Sequence, residues 1–334
     1  MTFSHRAVCS AAFALVFSSA IAAEELVVYS GREEKLLLPL LDAFTQKTRI
    51  PVTLKSGNSS TLLTNLSLEG NSTKADLYIG SDVGNLQRGG DFGLFMELPD
   101  PILHSVPKEH RSPHNDWVGL SGRLRVLVVN KDSPVGSKLD SVFGLADPRL
   151  KGKIAITETD NESFIGGVTS YMHQVGKKQN RTWLKSLKDN ADGKFFAKHS
   201  EIVKAVASGE REAGLVNHYY ALRHISKNPD DPIRIVIPDQ ASGQIGAAWN
   251  MTGIAISRYT RNIAAAEKLV AFLVSAQGQK VFAEVNQEYP TRPGIALAKG
   301  VPLINNVRLT QTPIEEIGRQ REATIAEIQR VGLL

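Results

Sequence analysis

From Leu26 onward the sequence alternates strand and helix signals, and that alternation restricts the fold more than any other feature. Leu26-Val27-Val28-Tyr29 is a short buried-strand pattern, closed by Ser30-Gly31. Leu36, Leu37, Leu40, Leu41 and Phe44 then recur at helical spacing. Pro39 lies inside that repeat, which implies a kink or a first turn ending just before it. Val52-Thr53-Leu54 reads as a second strand, Leu62 to Leu68 as a helix, and Ala75 to Ile79 as a third strand running into Gly80-Ser81-Asp82. A β-α-β-α-β order argues for an open α/β sheet, with ligands held outside the carboxyl ends of its strands.

The pattern then restarts. Pro99 to Asp116 is loop-rich, with Pro101, Pro107 and Pro113. Leu124 to Val129 is a nearly continuous apolar strand, suited to crossing between two lobes. A second unit follows, with strand Lys153 to Ile156, a loop at Thr157 to Glu162, and helices from about Ser163 and around Trp183 to Leu187. Ser200 to Ser208 is predicted as a helix with Ser200 as N-cap, ahead of strand Ala213 to Val216. Ile233 to Ile237 and Gly253 to Ile256 read as strands returning to the first lobe. Helices at Ile263 to Val274, Gln277 to Asn286 and after Pro313 complete the chain. A chain of 334 residues exceeds one ordinary core. We therefore expect two discontinuous lobes, residues 23–122 with 228–300, and 123–227 with 301–334.

The first 22 residues are expected to be a secretory signal. His5 and Arg6 give a basic start, Ala7 to Ala20 an apolar stretch, and Ala20-Ile21-Ala22 a small-x-small cleavage site. The run is short for a membrane span. The only cysteine, Cys9, lies within it and lacks the Leu-Ala-Gly context of a lipoprotein. The mature chain would then be free of thiols, which excludes disulfides, cysteine-bound zinc and cysteine redox chemistry. Loss of Arg6 takes the formal charge from +5 to +4, because the segment carries no acid. No Lys/Arg run interleaved with aromatics points to nucleic acid. The expectation is an exported, soluble, periplasmic protein.

The chemistry concentrates at Tyr219 and Tyr220, which follow the apolar run Ala213 to Val216 and the pair Asn217-His218. Phenolate is a hard anionic donor, and neighbouring phenols can grip one hard trivalent cation. A free phenol ionises near pH ~10, so both protons stay on unless a strong Lewis acid displaces them. Ferric iron is the common biological ion able to do so, since hard oxygen donors suit hard metals. Packing of two aromatics is the plain alternative. Enzyme motifs are missing: there is no Gly-x-Ser-x-Gly elbow, no cysteine nucleophile, no Gly-rich phosphate loop and no His-Glu-x-x-His. We expect no enzymatic activity.

Tyr29-Ser30-Gly31-Arg32, Ser56-Gly57-Asn58-Ser59, Ala75-Asp76-Leu77-Tyr78, Leu120-Ser121-Gly122-Arg123, Gly152-Lys153-Ile154 and Asn217-His218-Tyr219-Tyr220 occur in that order, followed by Glu288-Tyr289-Pro290-Thr291-Arg292. In these motifs the chain resembles periplasmic ferric-ion-binding proteins, the solute-binding subunits of iron ABC importers. The resemblance implies a type II periplasmic-binding-protein fold, similar to one transferrin lobe, with a hinge of crossing strands. It also implies one Fe(III) held with a synergistic anion such as carbonate or phosphate, in a monomer that serves an ABC permease. Tyr219 and Tyr220 match the paired metal ligands. Glu33 stands where the family offers a His or Tyr to iron, a departure that keeps a hard donor. Ser81 replaces a ligating Glu of some members, and Asp82 is expected to cap the next helix. Arg123 matches the arginine that faces the anion. Asn161 and Ser163, at a helix start, suit anion binding or simple capping, and Asn217 would orient the anion or the tyrosine loop. His199 and His218 are expected to be surface or supporting residues. A solute-binding protein for another ligand (polyamine, phosphonate or other oxyanion) is the competing reading, since this fold carries many cargoes.

Overall fold

The computed structural model describes residues 25–334, so the expected signal segment lies outside the described residues. The apolar runs at Leu26 and Leu77 become buried strands, and the run at Val52 becomes a partly exposed strand at the sheet edge. β1 (Leu26–Ser30) pairs in parallel with β2 (Val52–Ser56) and β3 (Leu77–Gly80), placing Leu26 opposite Val52 and Val28 opposite Leu77. Helix α1 (Leu38–Thr48) buries Leu40, Leu41 and Phe44 against them. A separate 3-10 turn, Glu34–Leu36, ends before Pro39, so the proline falls in the first turn of α1, where its missing N–H leaves no bond unmade. α2 (Ser59–Glu69) and α3 (Val83–Asp91) follow, and Asp82 caps α3 as expected, its Oδ1 accepting from the Asn85 amide at 2.9 Å. The proline-rich stretch contains one short turn of helix, α4 (Asp100–Leu103).

β4 (Val118–Asn130) is a 13-residue strand buried throughout. Its first half pairs antiparallel with β8, and its second half with β6 and β7. The second unit runs β5 (Ile154–Ala155), α5 (Glu162–Ala191), α6 (His199–Ala207), β6 (Ala213–Asn217) and α7 (His218–Lys227). The chain then forms β7 (Ile233–Val236), β8 (Trp249–Ile256), α8 (Ile263–Leu273), α9 (Ala276–Glu284), β9 (Tyr289–Pro290), α10 (Ile314–Arg319) and α11 (Arg321–Arg330). The strand order is β2-β1-β3-β8-β4-β6-β5, with β7 and β9 attached to β4. The molecule is thus a two-lobed α/β fold of the type II periplasmic-binding-protein kind. β4 and β8 are the crossing strands, and separate apolar clusters fill the two halves.

Two expectations change and one holds in detail. Ile233–Val236 does not return to the first sheet; it pairs with Leu127–Asn130 at the far end of β4, so the return begins at Trp249. The two helices expected after Glu162 are both present within α5, separated by a kink where Gly176 leaves helical geometry at φ 77. The helix near Ser200 begins at His199, with Lys198 at the N-cap, where its backbone N–H donates to the Glu201 carboxylate at 3.3 Å. The Glu201 carboxylate thus satisfies the amide of the N-cap residue itself, the reciprocal half of a capping box, rather than the first-turn amides a serine hydroxyl would take.

Candidate functional site

Four strands point their carboxyl ends into one cavity of about 300 Å³, lined by Arg32, Glu33, Ser81, Arg123, Asn161, Ser163, His199, Asn217, Tyr219 and Tyr220 among others. β1 delivers Gly31, Arg32 and Glu33. Glycine is required at 31, because a Cβ there would lie 2.0 Å from Ser59 Oγ. β3 delivers Ser81 and Asp82, β5 leads to the start of α5, and β6 leads to the tyrosines. This is the usual ligand position for open α/β sheets, built here from both halves.

The tyrosines occupy the first turn of α7 rather than the strand end itself. Their ring centroids lie 4.5 Å apart. Tyr219 is buried, and its hydroxyl receives a hydrogen bond from Asn217 Nδ2 at 3.3 Å. Tyr220 reaches across the cleft, donating to Glu33 Oε1 at 2.8 Å. The structure therefore brings Tyr219, Tyr220 and Glu33 together. Burial, then the charges of Tyr219 and Glu33, push the Tyr220 phenol well above its ordinary range. Burial also acts to raise Glu33, but hydrogen bonds from Lys35 (2.5 Å) and Tyr220 outweigh it and hold the carboxyl below its ordinary value. Without cargo the pair is thus a neutral phenol on a carboxylate.

The anion-side residues line the same cavity, with some of their capacity committed. Asn161 caps α5, its Oδ1 accepting from the Ser163 and Phe164 amides at 3.0 and 3.3 Å. Those two amides are therefore not free for a ligand, and the capping reading holds for the Asn161 oxygen. Ser163 lies inside the first turn and accepts from Asn217 Nδ2 at 3.1 Å, which leaves its hydroxyl proton to donate. Arg123 is buried and donates to the Ser81 carbonyl and, at 3.4 Å, to Thr252 Oγ1. Ser81 offers no carboxylate, and its buried Oγ has no partner.

The histidines separate clearly. His218 is no surface residue: its Nδ1 accepts from the Leu124 amide at 3.2 Å and its Nε2 lies 3.0 Å from the Gln287 carbonyl. Both nitrogens are thus spent on backbone, and burial pulls its pKa down to about 3. His199 is also buried, with its ring 5.0 Å from that of Tyr220 and both nitrogens without partners. Burial, then the charges of Arg125 and Arg123, hold it neutral.

Two arginines escaped sequence reasoning. Arg125 is fully enclosed and donates to Asn217 Oδ1 at 3.1 Å and to the Leu215 carbonyl at 3.3 Å, which turns the Asn217 NH2 toward Tyr219 and Ser163. Burial lowers its pKa to about 10, so it stays charged at neutral pH. Arg32 pairs with Glu288 at 2.8 Å, both buried. The Arg123–Arg125 spacing was the available signal, because alternate residues of a strand share a face.

A fold with crossing strands and a polar cleft between its halves defines a solute-binding protein. Residues 40–306 match the family described as bacterial extracellular solute-binding protein, and the chain belongs to that family. It is 29% identical to iron uptake protein A1 of Synechocystis over 304 residues, covering 88% of this chain and 83% of the relative. Identity to the major ferric iron-binding protein of Neisseria meningitidis is 28% over 306 residues, covering 90% and 91%. Among solved structures, apo ferric ion-binding protein A of Pasteurella haemolytica superposes with a TM-score of 0.85 at 26% identity, covering 93% of this chain and 98% of the other.

Proposed function

We propose that this protein captures Fe(III) together with a synergistic oxyanion in its interlobe cleft, and delivers it as the periplasmic component of an ABC importer. The observation that carries this reading is the meeting of Tyr220 with Glu33 at 2.8 Å, beside Tyr219. Three hard oxygen donors from both halves converge there, a set suited to a hard trivalent ion and poorly suited to soft metals. The Tyr220 proton is too firmly held to leave unaided, so a strong Lewis acid is the matching cargo. The ferric-binding relatives support the same cargo.

Arg123, the Asn161 amide group and the Ser163 hydroxyl offer donors in the same cavity, with Asn217 orienting Ser163 and Tyr219, which fits carbonate or a similar anion beside the metal. Cargo touching both lobes favours the closed form because only there are all the donors within reach. The protein acts as a monomer binding one ion, without catalysis. Titration of the purified protein with Fe(III) and bicarbonate tests the reading. An orange to red phenolate charge-transfer band should appear in the wild type and weaken in Tyr219→Phe and Tyr220→Phe. A colourless protein that binds phosphonate or polyamine instead would sink it.

A further inference from the structure

Beside the tyrosine site, a second buried charge cluster joins the two lobes. Asp82 starts α3 in the first lobe, Glu162 is the first residue of α5 in the second, and Arg321 opens α11; each is less than a tenth exposed. Arg321 Nη2 lies 2.6 Å from Glu162 Oε2 and donates to Ser60 Oγ at 3.1 Å, while its Nη1 lies 3.4 Å from Asp82 Oδ2. The Ser60 hydroxyl, on α2, donates to Glu162 Oε1 at 2.9 Å. Two lobes therefore present one carboxylate each to a single guanidinium.

The C-terminal helices that carry Arg321 straddle the same divide. α10 lies so close on α3 that a Cβ at Gly318 would fall 2.7 Å from Gln87 Cβ. α11 is tied to α5 by Arg181–Glu327 at 2.6 Å and Thr169–Thr324 at 2.9 Å.

We propose that Arg321 is a positioning residue for cargo binding: together with one shared proton it latches Asp82 to Glu162 and stabilises the closed arrangement of the lobes. The idea rests on the reading that the cleft closes over its cargo. Buried like charges repel unless paired, and one guanidinium neutralises only one of two carboxylates. A single proton completes the cluster. Burial, then the Asp82 charge, raises the Glu162 carboxyl to about 7, so the Asp82–Glu162 pair keeps that shared proton toward neutral pH. The other ionisable groups facing Glu162 are Arg321 from α11 and the Tyr78 phenol from β3, which burial keeps neutral. An opened, solvated Glu162 returns toward its ordinary 4.5. Closure then takes up a proton, and its contribution is full below about pH 4.5 and fades as pH rises through about 7.

The test uses small-angle scattering of the iron-free mature protein between pH 6 and 8, with iron release to a chelator as a second readout. The wild-type radius of gyration should increase across that range, and Glu162→Gln should stay compact. Arg321→Gln should be more open at every pH and release iron roughly tenfold faster. Arg321→Lys should recover part of the compaction, as should the double variant Glu162→Gln/Arg321→Gln. If Arg321→Gln lowers thermal stability but leaves both the radius and the release rate at wild-type values, Arg321 is only structural and the proposal fails. A pH-independent wild-type radius also overturns it. Because the scattering arm contains no iron, a protein that proved unable to bind iron would defeat the proposed cargo without deciding the latch.

Discussion

Tyr220→Phe separates a metal ligand from a packing residue, because the two roles carry very different costs. In the metal-free protein the change removes one hydrogen bond, from the Tyr220 hydroxyl to Glu33. A buried bond to a charged group contributes ~1.5–3 kcal/mol. Here the Glu33 side chain is 40% exposed and keeps Lys35 at 2.5 Å, so the loss should stay under ~1 kcal/mol. The ring contacts with Tyr219 and His199 survive in phenylalanine. Thermal unfolding without metal should therefore shift by no more than about 2–4 °C.

Iron binding should respond far more strongly. Residues that merely support a metal ligand change affinity ~10–100-fold when mutated, so losing an anionic ligand should exceed ~100-fold, or about 2.7 kcal/mol. A second signature is independent of that magnitude. The Tyr220 phenol is held protonated by burial and by its neighbours' charges, so ligation must expel that proton. The logarithm of the iron affinity should rise with pH more steeply in the wild type than in Tyr220→Phe, by about one proton. Citrate competition at fixed bicarbonate, followed at several pH values by visible absorbance and equilibrium dialysis, measures both quantities. A variant that folds normally, binds within about threefold of wild type and keeps the same pH slope would refute the argument.

Three further outcomes are expected. Glu33→Gln keeps size and polarity but ligates Fe(III) poorly, so it should lose iron at a higher pH than wild type while its metal-free melting temperature barely moves; retention equal to wild type removes Glu33 from the ligand set. Arg123→Lys keeps the charge and loses the planar fork, so iron retention should weaken and respond less to added bicarbonate, as read by chelator challenge with and without the anion. His218 is buried neutral, with its pKa lowered from 6.5 to about 3. Its contribution to stability is therefore present above pH 6.5 and fades as pH falls toward 3, at up to about 1.4 kcal/mol per pH unit. Urea unfolding of the metal-free protein should show that acid limb flattened in His218→Asn, and an unchanged limb would discount the assignment.

What the sequence revealed follows from how local each signal is. Leu26 to Tyr29 and Leu124 to Val129 declare themselves as strands because burial on both faces demands unbroken apolar runs. Adjacent tyrosines after such a strand need no tertiary information to be noticed. Ile233–Val236 was equally clear as a strand, but its partner depends on which end of β4 it meets, and nothing within the segment encodes that choice. Ser200 was misplaced as a cap because Lys198 recruits Glu201 instead. For Asn161 the capping reading holds through its oxygen, and the anion contact of its amide belongs to the proposed function. The Asp82–Glu162–Arg321 cluster was invisible, because its members are separated by most of the chain and each is an ordinary charged residue locally.

The distribution of hydrogen bonds between the halves also sets an order of events. Arg125, Asn217, Ser163 and Tyr219, from β4, β6, α5 and α7, are linked to one another with no residue of β1 or β3 between them. Rotation about β4 and β8 would leave those links intact, so most of the donor set is preorganised before closure. Glu33 follows β1 and touches Tyr220 in this structure, a contact that, under the proposed function, forms only as the cleft shuts. Under the proposed function, iron and anion should then be captured first on the second lobe, with Glu33 joining last. A ligand added last governs escape more than arrival. In stopped-flow experiments that follow the charge-transfer band, Glu33→Gln should leave the initial rate of colour formation near the wild-type value and raise the rate of iron loss. A variant slowed in capture and unchanged in release would place Glu33 at first contact, and the preorganised second lobe could not then be the landing site.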